Sequence, residues 1–141
     1  MVTTVVSMYN TSPPKTLGLG SERVIPNGPL YPNILASLKS SGITVVTSKC
    51  ISDMQLHNIE TDDIRDLIKK AVRDNGYINS MWCSVNRAGN AIAACDAYEV
   101  DGYVRDRYGN MEPKKIYLKF CIAKSGQTIM QVSMHPSIYN N

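Results

Sequence analysis

The sequence predicts an α+β domain in which N-terminal helices pack on one face of an antiparallel sheet of about four strands. Three observations carry this. Helical periodicity is confined to the residues before Gly76, apolar and polar alternation dominates after it, and turn residues separate the later runs at hairpin spacing. A chain of 141 residues, 43% of them hydrophobic and 19% charged, is long enough to bury one core of ordinary size.

Residues 1–32 hold five of the seven prolines, Pro13, Pro14, Pro26, Pro29 and Pro32, so neither a helix nor a central strand runs far through them. They read as an extended arm or linker ahead of a single domain over 33–141. The pair Gly18 and Gly20 in "LGLGSE" lacks the strand and helix context of a phosphate loop. In "NILASLKSSG", Ile34, Leu35 and Leu38 share one side and Gly42 is a stop, which predicts a short helix followed by a strand "ITVVT" at 43–47. Ser48 is placed to cap a second helix through about Leu56, with Ile51 and Met54 inward. His57 then falls at a helix end, where a surface or capping role is expected.

The clearest helix is "TDDIRDLIKKAVRDNG". Ile64, Leu67, Ile68, Ala71 and Val72 recur at helical spacing, with Thr61 placed to cap, acids at its start, bases in its last turns and Gly76 as its end. Helix physics accounts for this charge pattern without any functional role. Strands are predicted at about 80–86, with Trp82 in the core, and at 91–99. A long basic loop "VDGYVRDRYGNMEPK" leads from there to a hairpin, "KIYLKFCIAKSGQTIMQVSMHPS".

In that hairpin Ile116, Leu118, Phe120 and Ile122 alternate with Lys115, Tyr117, Lys119 and Cys121, and Met130, Val132 and Met134 alternate with Gln131, Ser133 and His135. A two-residue loop at Ser125 and Gly126 pairs Lys119 with Val132, setting a charge beside a core side chain. A three-residue loop, Lys124 to Gly126, is therefore expected, pairing Tyr117 with Ser133, Lys119 with Gln131 and Lys115 with His135. The polar face of this hairpin contains no carboxylate. Lys, Tyr, Ser and His together suit a phosphodiester: cleavage of RNA through its 2′-hydroxyl needs a base, an acid and cations near the phosphorane.

Charge along the chain agrees with a polyanionic ligand. Residues 51–101 hold nine acids against five bases, whereas residues 102–141 hold six bases against two acids. Arg105 and Arg107, interleaved with Tyr98, Tyr103 and Tyr108, have the make-up of a loop that stacks on and neutralises single-stranded RNA. Lys115 and Gln131 extend the expected RNA-binding set. The four cysteines have no CxxC spacing, which implies free thiols and a reducing, cytoplasmic site of action. His57 and His135 stand alone, so no metal site is expected, and no cofactor. The longest apolar runs are only a few residues, so no membrane contact is expected.

The motifs "IYLKF" and "QVSMH", with "CDAYEV" as the strand before them, resemble the C-terminal pattern of MqsR-type toxins. These are ribonucleases of the RelE group within the barnase, EndoU, colicin and RelE superfamily, and the likeness covers roughly residues 60–137. The segment "TSKCISDMQLHNIETDDIRDLI" is similar to another group of that superfamily. The resemblance implies a toxin-type, metal-independent endoribonuclease that slows translation and is held by an antitoxin or immunity protein. It also implies possible origin as the C-terminal warhead of a larger protein delivered from another cell. It places Tyr117 on the active-site tyrosine and His135 where the family has a catalytic lysine. Cys95 stands where the family has a glutamine, and Cys50 where the second group has a histidine. The catalytic set expected is His135, Tyr117, Lys119 and Ser133. The alternative function is a non-catalytic immunity or RNA-binding module that uses the same basic face.

Overall fold

The structure is a computed structural model that describes residues 3–15 and 23–137. The segment "LGLGSE" lies outside the described residues. The elements run β1 (Thr4–Val5), β2 (Val24–Ile25), α1 (Ile34–Ser40), β3 (Gly42–Val45), α2 (Ser48–Leu56), α3 (Thr61–Arg73), β4 (Tyr77–Ser84), β5 (Ala91–Arg105), β6 (Met111–Ile122) and β7 (Thr128–Pro136).

Helix α3 forms where the periodicity places it. Its start is fixed by a capping box in which the Glu60 side chain accepts from the N3 backbone and Glu60 N donates to Asp63 Oδ2 at 2.8 Å. Ile64, Ile68 and Ala71 are fully buried. Thr47, not Ser48, caps α2, accepting from Cys50 N. Arg65 on α3 donates to the carbonyls of Leu38 and Ser41, fixing α1 against α3.

The expected sheet of about four antiparallel strands is overturned. The strands form one seven-stranded mixed sheet, ordered β2-β4-β5-β6-β7-β3, with β1 on β5; β1–β5 and β3–β7 are parallel pairs. The physical reason lies in strand length. β5 has 15 residues and β6 has 12, so they outrun their hairpin partners and leave backbone groups to be paired. Part of that demand is met by the Pro-rich lead segment. It is extended, as its prolines require, but its described parts are woven into the sheet, not set apart as a linker. Val6 N donates to Ile92 O, Met8 N to Ile122 O, and Lys124 N to Val6 O, so residues 4–8 fill a wedge between β5 and the end of β6. Ser7, fully buried there, accepts from Ala94 N at 2.9 Å and donates to Tyr9 O at 2.7 Å.

The expected basic loop over 100–114 is likewise shorter. β5 runs on to Arg105 and β6 starts at Met111, making a two-stranded ribbon closed by Asp106–Asn110. Asp106 Oδ1 accepts from both Tyr108 N and Asn110 N across that turn.

One face of the sheet carries the core. Val100, Ile116, Leu118, Phe120 and Met134 pack with Ile64 and Ile68 of α3 and Cys50 and Met54 of α2. Trp82, Ile92 and Ala94 continue that face beneath Ile25 and Leu30, so Trp82 is core as predicted. Asp96 is buried on the same face and organises the entry of the chain. Oδ1 accepts from Leu30 N at 2.9 Å and Ser80 Oγ at 2.6 Å, and Oδ2 from Tyr31 N at 3.1 Å.

Candidate functional site

The turn between β6 and β7 adopts the register that the charge argument rejects, and the conflict is removed further along. Ile122 pairs with Ile129 and Phe120 with Gln131, which would bring Lys119 against Val132. A bulge intervenes, and Lys119 instead pairs with Ser133, Leu118 with Met134 and Tyr117 with His135. The chain thus spends its extra residue inside β7, not at the turn. Gly126, with φ of +79°, supplies the left-handed turn position. The predicted pairs Tyr117–Ser133, Lys119–Gln131 and Lys115–His135 are corrected accordingly. Gln131 does not lie on the polar face. It is fully buried and donates to Ser133 O at 2.8 Å, so it cannot meet an RNA.

The face opposite the helices now has a defined layout. Glu99 pairs with Tyr117, which pairs with His135, giving one row across β5, β6 and β7. One register step along lie Asn79, Ala97, Lys119 and Ser133; one step the other way, Asp101 pairs with Lys115. The expectation of a face without carboxylates is overturned, because β5 brings Glu99 and Asp101 to it. Glu99 was legible in principle: "YEV" pairs antiparallel with "IYLK", and the glutamate falls opposite the tyrosine.

The row is ordered. The Tyr117 and His135 rings stack with centroids 5.2 Å apart at 25°. His135 Nδ1 lies 2.9 Å from Pro136 O, and since a carbonyl only accepts, Nδ1 carries a hydrogen and Nε2 is left to exchange protons with a ligand. Glu99 Oε2 accepts from Ser137 Oγ at 2.6 Å. Burial pushes the Tyr117 hydroxyl above the ordinary phenol value, against the pull of Lys119 beside it; Cys83 and Cys95 add to the rise, and Arg23 opposes it. For Lys119 burial works downward, but Cys83, Tyr117 and Cys95 outweigh it and hold the ammonium above its usual value. Near neutral pH the pair is therefore a neutral phenol beside a cation.

Arg23, whose Nε donates to Trp82 O, is a cation that sequence reasoning missed, and its place in the arm gave no signal of it. Ala97, which pairs with Lys119, and Ala93 and Cys95 before it on the same face of β5 are small and fully buried. Cys50, Cys83, Cys95 and Cys121 are all free and buried. Burial, after the neighbouring thiols, contributes to holding Cys83 and Cys95 well above the ordinary thiol value, so neither serves as a thiolate nucleophile.

Arg105 and Arg107 are exposed at the ribbon tip, away from the row. Arg105 donates to Gly109 O, and Arg107 lies over the Tyr108 ring at 5.0 Å. Lys115 sits 3.7 Å from Asp101, so its charge is partly matched. His57 is half-buried at the end of α2 and does not approach the row. Among the described residues no three His, Cys, Asp or Glu side chains are grouped to hold a metal ion, and no helix is long and apolar enough to cross a membrane. No family model, curated protein or solved structure matches the chain.

Proposed function

We propose that the protein is a toxin-type endoribonuclease that cleaves RNA by attack of a 2′-hydroxyl on the adjacent phosphate. The observation that carries this reading is the row Glu99–Tyr117–His135, with Lys119 one register step away. Strands two apart set the Glu99 and His135 backbones about 10 Å from each other, so their side chains can flank a phosphate lying over Tyr117. Glu99 then accepts the 2′-hydroxyl proton, and His135 Nε2 delivers one to the departing 5′-oxygen. Lys119 balances charge on the phosphorane, and the neutral Tyr117 hydroxyl donates to a phosphate oxygen. The products are a 2′,3′-cyclic phosphate and a 5′-hydroxyl. A neutralising protein, antitoxin or immunity type, would act by covering this face.

The test is single-turnover cleavage of total RNA by the wild type, His135→Ala and Glu99→Gln, each with and without chelator. Each substitution is expected to cost about 10²-fold to 10⁴-fold in rate, the usual worth of a positioned acid or base. A wild-type protein that binds RNA and leaves it whole would favour the non-catalytic module. Products ending in a 5′-phosphate would exclude the mechanism.

A further inference from the structure

The far end of β5 has an edge that the row does not use. β4 starts at Tyr77, opposite Tyr98, and Gly76 O takes the N–H of Glu99 at 2.9 Å, whereas β5 runs on to Arg105. Outward and inward groups alternate along an antiparallel strand, so Asp101, Tyr103 and Arg105, like Glu99, turn their N–H and C=O groups away from β6. Pro113 agrees with this, since it pairs with Tyr103 and has no N–H to give. Lys70 Nζ donates to Asp101 O at 3.0 Å, but the N–H and C=O groups of Tyr103 and Arg105 have no partner among the described residues. The opposite edge of the ribbon is closed by Pro113 and by Ser137 N, which donates to Lys115 O at 2.8 Å. The β5 edge has neither protection. Gly76 stops it on one side and the turn stops it on the other, where Asp106 N donates to Asn110 O, so the open stretch is Asp101–Arg105 and its centre is Tyr103.

We propose that this edge joins two copies of the chain in an antiparallel β5–β5 seam about a two-fold axis at Tyr103. The stretch "DGYVR" is self-complementary about that centre: Tyr103 faces Tyr103 of the second copy, and Asp101 faces Arg105 of the second copy, twice over by symmetry. All three side chains lie on one face, so unlike charges and two rings stand directly across the seam, the favourable kinds of cross-strand pair. Sliding the seam by one pair loses the ion pairs, and parallel pairing in register sets like charges together. The groups are accessible. The Asp101 side chain is 79% exposed and lies 3.7 Å from Lys115, Tyr103 is 63% exposed, and Arg105 spends Nη1 on Gly109 O while the rest of its fork stays available. Each facing pair exchanges two N–H to C=O bonds, which satisfies the open backbone as strand addition does elsewhere. The axis is perpendicular to the sheet, so both Tyr117 rows open to the same side. The proposal goes beyond the ribonuclease reading and does not depend on it.

The experiment is sedimentation equilibrium of the full chain at protein concentrations from about 1 μM to about 1 mM, where a reversible dimer is expected. Tyr103→Pro removes the central N–H from both copies and breaks no bond within the monomer, so it should weaken association at least about tenfold with the circular dichroism of the monomer kept. Asp101→Arg and Arg105→Asp each set like charges across the seam and should each stay monomeric. Mixed in equal amounts, these two variants should associate as the wild type does, a rescue that a merely structural defect would not produce. A wild type that is monomeric to about 1 mM overturns the proposal and leaves the edge to a strand of another protein. A dimer that survives Tyr103→Pro or either charge reversal, or two monomeric variants that fail to pair on mixing, overturns it as well.

Discussion

Replacing Asp96 with Asn tests how the N-terminal segment is held. In the wild type Oδ1 serves Leu30 N and Ser80 Oγ, and Oδ2 serves Tyr31 N. Asn keeps an oxygen for the first two but turns an NH2 group toward Tyr31 N, setting donor against donor in a fully buried place. One buried N–H is left unpaired, at a cost of about 1–3 kcal/mol, and two hydrogen bonds lose their charge assistance. Relief of the buried charge offsets part of this, for a net loss of about 2–4 kcal/mol, or roughly 10 °C in Tm for a domain of this length. Burial is the largest influence on Asp96 and raises its carboxyl above the ordinary value, against the donors at Leu30, Ser80 and Tyr31. The sign follows: a group that holds its proton more tightly when folded contributes stability that is complete below the unfolded pKa, about 4, and is lost as pH rises through the folded pKa. The gap between wild type and Asp96→Asn should therefore be widest below about pH 4 and narrow as pH rises through the folded pKa. Urea unfolding of both proteins at several pH values measures it. A variant as stable as the wild type, or a gap that widens as pH rises, would refute the reasoning.

Other substitutions probe the site and its frame. Gly76→Ala places a Cβ on the carbonyl oxygen of Glu99, so it should destabilise the fold by about 1–3 kcal/mol and displace the Glu99 end of the row; an unchanged unfolding midpoint would count against that contact. Lys119→Met removes a cation that holds the Tyr117 phenol down, so its pKa should rise further, read by NMR of ring-labelled tyrosine; a fall would contradict the assigned geometry. Ser7→Ala orphans Ala94 N and should cost about 1–3 kcal/mol in chemical denaturation, well above a surface substitution.

The helices were legible because their signals are local. Periodicity and dipole charges lie within a dozen residues, and α2 and α3 fall close to their predicted ends, although the caps are Thr47 and Glu60, each one residue before the Ser48 and Thr61 expected. Alternation gave the right faces for Tyr117, Lys119, Ser133 and His135. It could not give their partners, because the turn register differs by one residue from the one expected and the bulge at Val132 adds one more, so every pair beyond it is displaced by two. Glu99 escapes for a related reason: its place beside Tyr117 depends on the β5–β6 register, which the reading of "VDGYVRDRYGNMEPK" as one long loop leaves undrawn. The two-residue strands β1 and β2 are shorter than any periodicity, and the partners that make them strands are far away in sequence.

The wedge at residues 4–8 has a kinetic consequence. Ser7 meets Ala94 across 87 residues of chain, so closing this seam costs far more loop entropy than forming a hairpin or α3. Synthesis delivers the segment before its slot exists, and it must wait while the β4–β5 and β6–β7 hairpins assemble. Docking then falls after the main barrier, and weakening the seam speeds unfolding while leaving the refolding rate nearly unchanged. The sheet opens first where it was sealed last, at the start of β5, and the row around Tyr117 outlives that opening.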